Sequence, residues 1–288
     1  MTKLVTPLLV KELRERTGLG MMECKRALVA SNGDIDDAIA SLRKSSGLKA
    51  AKKASRTAAD GSIGVVSSGD FGVIIEVNSE TDFVARDDNF QEFVKVVLET
   101  AYDTRETDVD ALLANSNLES KRNDLIQKIG ENILLRRVKS IKAPVVGSYL
   151  HSNRRIGVVV GLTDGSSELA RQVAMHVAAV NPAVVRSDEM SESVLSAEKD
   201  IYLAQARDSG KPEEIVQKMV AGRVAKFLKE SSLIDQPFVK DPEKTIGQLV
   251  AEANADVTSF ARFEVGEGIS KEKVDFAAEV AAQVESVG

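Results

Sequence analysis

The 288-residue sequence has no tryptophan, a single cysteine and only two histidines, and its aromatic content is 4%. One cysteine, Cys24, excludes an internal disulfide framework and fits a reducing cytoplasm. One Cys and two His nearly exclude a Cys/His metal centre. With so few rings, the cores must rest on Val, Leu, Ile and Ala. No apolar run approaches the roughly 18 residues that a membrane span requires. The N-terminus MTKLVTPLLVKELRERTG passes from a short apolar patch straight into a charged helix. It lacks the longer apolar region and small-residue cleavage site of a signal peptide, so we expect a cytoplasmic chain with no membrane association. Phosphate-cradling motifs are missing too. Gly18-Leu19-Gly20 has no preceding strand and no third glycine in place, and no G-x-x-x-x-G-K-[ST] occurs.

What is present is an ordinary soluble composition, 43% hydrophobic and 28% charged, with a net charge of −6. That balance argues against direct nucleic-acid binding, which rewards dense positive patches. The charge is unevenly spread: residues 1–56 carry 12 Lys/Arg against 6 Asp/Glu, and residues 57–288 carry 26 against 38. A basic head on an acidic body suggests separate modules.

Three short helices are predicted in the first 45 residues. Thr6-Pro7 supplies an N-cap and a first-turn proline, and Thr17-Gly18 ends the helix. The second begins near Met21, buries Cys24, Ala27 and Leu28, and stops at Asn32-Gly33. Asp34 caps the third, where Ile35, Ala38, Ile39 and Leu42 share one face. Ser45 to Asp60 reads as a partly helical linker with Lys49, Lys52, Lys53 and Arg56 solvated.

The rest contains an internal repeat. Gly61–Ser67 and Phe71–Val77 form a hairpin, helices follow near 87–101 and 119–131, and a strand over Leu134–Ile141 returns. The pattern recurs as Val145–Leu150, Ile156–Thr163, a helix over Ser167–Val180, a helix over Ile246–Asn254 and a strand over Val257–Val265. Between these parts, residues 184–231 read as two helices around a break at Gly210-Lys211-Pro212, an antiparallel arm. The last 20 residues are expected to be helical. The fold class is α+β, a pair of related subdomains with antiparallel strands.

Cys24 sits at an apolar helical position and reads as an inert buried thiol. His176 reads as a helix-packing residue, whereas His151 falls on a polar turn and should be accessible. The informative segment is Asn78–Asp87, after the apolar strand Val73-Ile74-Ile75-Glu76-Val77. Two readings stay open for it. Thr81 or Asp82 caps a helical turn and Phe83 folds into the core; or the strand end displays a carboxylate beside an exposed ring that wedges into a partner. An adaptor protein, and an enzyme with its site between the subdomains, are the rival classes.

TGLGMMECKRAL and NGDIDDAI in the head, TDFVARDDNF after the strand, GENILLRR, AMHVAA, GKP, QPFV and FEVGEGI together resemble the bacterial elongation factor Ts family, in order along the whole chain. The resemblance implies a guanine-nucleotide exchange factor, not an enzyme and without a cofactor, that binds elongation factor Tu and promotes exchange of GDP for GTP. It implies a ubiquitin-associated-like three-helix domain with its basic linker (1–56) and core subdomain N (57–142). Core subdomain C (143–183 and 232–268) is interrupted by a coiled-coil hairpin (184–231), and a C-terminal helical module (269–288) follows. By motif, Thr81, Asp82, Phe83 and Val84 form the element that dislodges Mg²⁺, and Arg14, Met21, Met22 and His151 touch the partner. Met21 and Met22 lie about 100° apart on a helix, so both cannot face the core. A further partner-facing pair of some members falls at Arg171-Gln172, where the histidine is absent. A 1:1 complex and a dimer of heterodimers both remain open.

Overall fold

The computed structural model describes residues 5–115, 117–207 and 212–270. The Gly210-Lys211 break and all but the first two residues of the expected C-terminal helix lie outside the described residues. Three helices open the chain. In α1 (Pro7–Thr17) the Thr6 hydroxyl accepts from the Leu9 N–H, and Gly18 closes the helix at φ 69°, donating its N–H to the Arg14 carbonyl. A residue with a Cβ is strained in that left-handed conformation, which is why glycine stands there. α2 (Met21–Ala30) follows, and α3 (Ile35–Lys53) starts where the Asp34 carboxylate accepts from the Asp36 and Asp37 N–H groups. Leu13, Cys24, Leu28 and Ala38 are fully buried between them.

The helical part of the predicted linker runs over Ser45–Lys53 and is the second half of α3 rather than a separate segment. Ala and Lys are good helix formers and only Gly47 opposes them, at roughly 1 kcal/mol. Ser46 and Ala50, four apart, turn a small buried face inward. The basic residues are also less free than expected. Lys49 bonds Glu23, which also accepts from Gln127 at 2.6 Å, and Lys53 donates to the Gly130 carbonyl. These contacts dock α3 along α7 (Leu118–Ile129), a helix introduced by the elements that follow.

β1 (Asp60–Ser68) and β2 (Phe71–Ser79) form a hairpin. One-turn α4 (Asp82–Ala85), α5 (Asp88–Thr104), α6 (Val109–Asn115) and α7 lead to β3 (Leu134–Lys142), which pairs antiparallel with β2. β4 (Val145–Leu150), β5 (Ile156–Leu162) and α8 (Ser167–Val180) come next. α9 (Glu192–Arg207) and α10 (Glu213–Ser231) pack antiparallel, with Arg223 reaching Gln205 at 2.7 Å. Their seam is narrow, built on Ala206, Val216 and Val220, and leaves Val194, Ile201 and Ile215 exposed. A short ribbon of β6 (Pro237–Phe238) and β7 (Asp241–Thr245), then α11 (Ile246–Ala251), precede β8 (Val257–Glu264). The ribbon and α6 have no counterpart in the sequence reading.

The fold is α+β with antiparallel sheets, and the two three-stranded sheets share one topology, β1-β2-β3 and β4-β5-β8. Each is a hairpin whose second strand pairs with a late-returning third. Strand period sorts the side chains into layers. Val73, Ile75 and Val77 face α5 and α7, while Ile74 faces the other way, onto Ile63, Ile141, Val146 and Val159. On β5, Val158, Val160 and Leu162 face α8, and Val159 faces the first sheet. The two sheets therefore pack face to face with helices outside both. The approach is close: a Cβ at Gly157 would stand 2.5 Å from Ile63 Cγ2.

Glu76 is the exception on β2, a carboxylate with no exposure in a strand buried from end to end. Gly266 N–H (2.8 Å), Asn78 Nδ2 (3.0 Å), Arg136 Nη1 (3.0 Å) and Arg137 Nε (2.5 Å) all donate to it. Burial pushes its pKa up, but the Gly266 and Asn78 hydrogen bonds and the Arg137 charge outweigh that and hold it below the usual range. Arg137 also donates to the Glu264 carbonyl at 3.1 Å, so the cluster ties the two sheets together.

Candidate functional site

The turn after β2 is anchored from inside. Asn78 and Ser79 are buried, and Thr81 caps α4, its hydroxyl accepting from the Val84 N–H at 3.4 Å. On so short a helix successive side chains diverge by about 100°, so Val84 and Ala85 turn inward and Phe83 turns out. The Phe83 ring is 81% exposed. Each sequence reading thus holds in part: the threonine cap forms, but the ring is outside the core. Beside it, Asp82 pairs with Arg86 at 2.8 Å, the Asp82 side chain half-buried and the Arg86 side chain largely in solvent, where such a pair contributes little.

The turn is clamped at both ends. On its N-terminal side Glu131 Oε2 accepts from the Glu80 N–H (3.1 Å) and Thr81 N–H (3.0 Å), and the Thr81 hydroxyl donates to Oε1 at 2.7 Å. Glu80 in turn accepts from the Asn132 N–H at 2.6 Å. On the C-terminal side Gln91 Nε2 donates to the Ala85 carbonyl at 2.5 Å. Asp87 caps α5, and its pKa is lowered chiefly by the Asn89 side-chain amide, with the Asn89 and Phe90 N–H groups adding to it against a desolvation cost.

Gln91 also accepts from Arg154, which belongs to the turn containing His151. That turn is closed by the Arg154 N–H on the His151 carbonyl (2.8 Å), with Arg154 left-handed at φ 55°. His151 is exposed, its Nδ1 3.0 Å from Asn153 Oδ1 and its ring edge-on to Tyr149. A cleft of about 460 Å³ lies between the two turns, lined by Asp82, Arg86, Gln91, Asn153 and Arg154. The structure therefore brings the α4 turn and the His151 turn together.

Arg14, Met21 and Met22 form a second patch. Met21 and Met22 are 59% and 65% exposed, so neither faces the core. They line an apolar groove of about 370 Å³ with Val10, and Lys11, Arg14 and Lys25 lie around it. None of the α4-turn residues lines that groove. Of the remaining candidates, Cys24 is buried, and His176 is enclosed between Gln236 Oε1 (2.9 Å) and the Val239 N–H (3.3 Å). Burial pushes the His176 pKa down, against the Gln236 hydrogen bond. Since Nδ1 accepts from Val239, Nε2 carries the proton that Gln236 receives. Sequence reasoning missed Glu131 and Gln91. The only signal for either was Glu131's place within the GENILLRR run.

Residues 80–267 match the family model described as Elongation factor TS, beginning at the residue before the α4 cap. The chain is 62% identical over 284 residues to elongation factor Ts of Saccharophagus degradans, covering 97% of this chain and 98% of that protein. It is 60% identical to the protein of the same name from Teredinibacter turnerae, with 97% of each covered. With that of Hahella chejuensis it shares 59%, over 96% of this chain and 97% of the other. The chain belongs to the elongation factor Ts family. Its role is accordingly that of a translation elongation factor. Identity at this level over nearly the whole length takes in the head, both sheets and the helical arm of this elongation factor Ts family member. Among its described residues no helix is long and apolar enough to cross a membrane, and no cluster of three or more His, Cys, Asp or Glu is set to hold a metal ion.

Proposed function

We propose that this chain binds elongation factor Tu in its GDP form and accelerates release of the nucleotide, acting in the cytoplasm and without direct contact to nucleic acid or membrane. The α4 turn is the intruding element, with Phe83 entering a pocket of the partner and Asp82 following it. The observation that carries this reading is an aromatic ring 81% exposed on a turn whose backbone is pinned from both sides. Aromatic rings are enriched at protein interfaces, and one held outward on a fixed backbone is suited to enter a partner's pocket.

Mg²⁺ requires near-octahedral oxygen ligands and usually retains several waters. A wedge that shifts the partner segment holding those waters loosens the ion and leaves the diphosphate charge uncompensated. Coupling is reciprocal: the factor by which this chain weakens GDP is the factor by which GDP weakens this chain. No proton transfer is needed, so the role asks for no catalytic acid or base. Arg14 with Met21 and Met22 supply a separate contact, adaptable because methionine is flexible, and His151 supplies another beside the turn. In this reading residues 1–56 are the partner-binding head and 57–268 the core that displays the turn.

The test is stopped-flow release of a fluorescent GDP analogue from elongation factor Tu. The chain at micromolar concentration should accelerate release by orders of magnitude. Release at the uncatalysed rate would overturn the reading.

A further inference from the structure

Glu131 stands in the loop between α7 and β3, about 50 residues from the turn it holds. Its carboxylate takes three hydrogen bonds from two adjacent residues: both successive backbone N–H groups of Glu80 and Thr81, and the Thr81 hydroxyl. The last has a directional effect. A hydroxyl that gives its proton to Glu131 turns a lone pair to the Val84 N–H, so the carboxylate also orients the cap of α4. Nothing inside a one-turn helix could fix its direction alone, because helix nucleation is unfavourable.

The same loop is fastened to the head. Lys53, at the end of α3, donates to the Gly130 carbonyl, and Asn132 Nδ2 donates to the Arg56 carbonyl at 2.8 Å. Gly130, Glu131 and Asn132 therefore form a junction with the end of α3 on one side and the α4 turn on the other.

Resting on the exchange function proposed above, we propose that Glu131 is the positioning residue for Phe83. It touches neither the nucleotide nor the metal in this reading. It holds Glu80 and Thr81 so that the ring is already directed outward before the partner arrives, in a loop that Lys53 and the Arg56 carbonyl also hold. Pre-organisation of this kind raises the population of the competent state, and each tenfold in that population is a tenfold in apparent efficiency.

The experiment compares Glu131→Ala, Glu131→Gln, Phe83→Ala and the Glu131→Ala/Phe83→Ala double variant in stimulated GDP release, with amide hydrogen exchange at Glu80 and Thr81 measured in each Glu131 variant alone. Glu131→Ala should lose roughly tenfold in stimulation and expose the Glu80 and Thr81 amides to faster exchange. Glu131→Gln keeps a carbonyl oxygen for those amides and should recover part of the loss. In the Phe83→Ala background Glu131→Ala should cost little more, because the residue it positions is gone. If Glu131→Ala lowers the melting temperature so far that its rates report unfolding, the Gln variant decides between the outcomes. Parental stimulation in the Ala variant, a Gln variant as slow as Ala, or a full additional loss on top of Phe83→Ala would each overturn the inference. A parent chain that fails to stimulate at all would instead remove the exchange function on which it rests.

Discussion

Truncating Phe83 to alanine separates the fold from the proposed interface. The ring is 81% exposed, so removing it takes almost no apolar area out of the core, and Val84 and Ala85 keep the turn anchored. Surface changes of this kind lie within about 0.5 kcal/mol. For a chain of this size that is roughly 1–2 °C in melting temperature. In the complex the accounting reverses. Fully burying a phenylalanine contributes about 1.5–3 kcal/mol. At about 1.4 kcal/mol per factor of ten, loss of that term lowers the second-order rate constant for stimulated GDP release about 10- to 150-fold. The assay is release of labelled GDP at increasing concentrations of the variant, beside a thermal melt. A release constant within twofold of the parent's would refute the wedge, and a melting temperature down by more than about 5 °C would show that the ring supports the fold after all.

Replacing Met21 and Met22 together by alanine should leave the melting temperature nearly unchanged, because both are exposed. It should raise the concentration giving half-maximal stimulation by roughly tenfold, about one apolar contact, while the saturating rate stays close to the parent's; a fall in the saturating rate alone would contradict a binding role. Glu76→Gln addresses pH. The folded-state pKa of Glu76 is held below the ordinary 4.5, so its stabilisation is complete above that value and is lost as pH falls through the lower folded value. Breaking the buried cluster should cost about 3 kcal/mol at neutral pH, and the variant's melting temperature should fall less steeply than the parent's below pH 4.5. Parallel curves in chemical or thermal melts from pH 7 to pH 3 would refute that assignment.

Much of the fold is legible in the sequence because its signals are local. Thr6-Pro7, Gly18 and Asp34 bound helices where capping chemistry places them, and the continuous apolar runs of β2 and β5 mark strands that turn out to be buried on both faces. The failures are tertiary. Nothing within Ser45–Lys53 shows that its small residues meet α7, so a docked helix reads as a partly helical linker. Glu76 sits in an apolar strand, and nothing local to it announces the partners Arg136, Arg137 and Gly266, distant in sequence, that gather around it. At the α4 turn the cap is written in Thr81, but the direction of Phe83 is decided by which neighbours are buried and by Glu131, some 50 residues on.

If the α4 turn acts on GDP through Mg²⁺, the size of its effect depends on that ion. Release of labelled GDP from elongation factor Tu would be measured with the parent chain and with Asp82→Ala/Phe83→Ala, in millimolar Mg²⁺ and again after chelation. With the ion present, the parent should release GDP at least tenfold faster than the double variant. Once Mg²⁺ is removed beforehand, the two should converge to within about twofold, because nothing remains for the turn to dislodge. A deficit of the same size in both conditions would contradict the claim and leave the turn as a binding contact only.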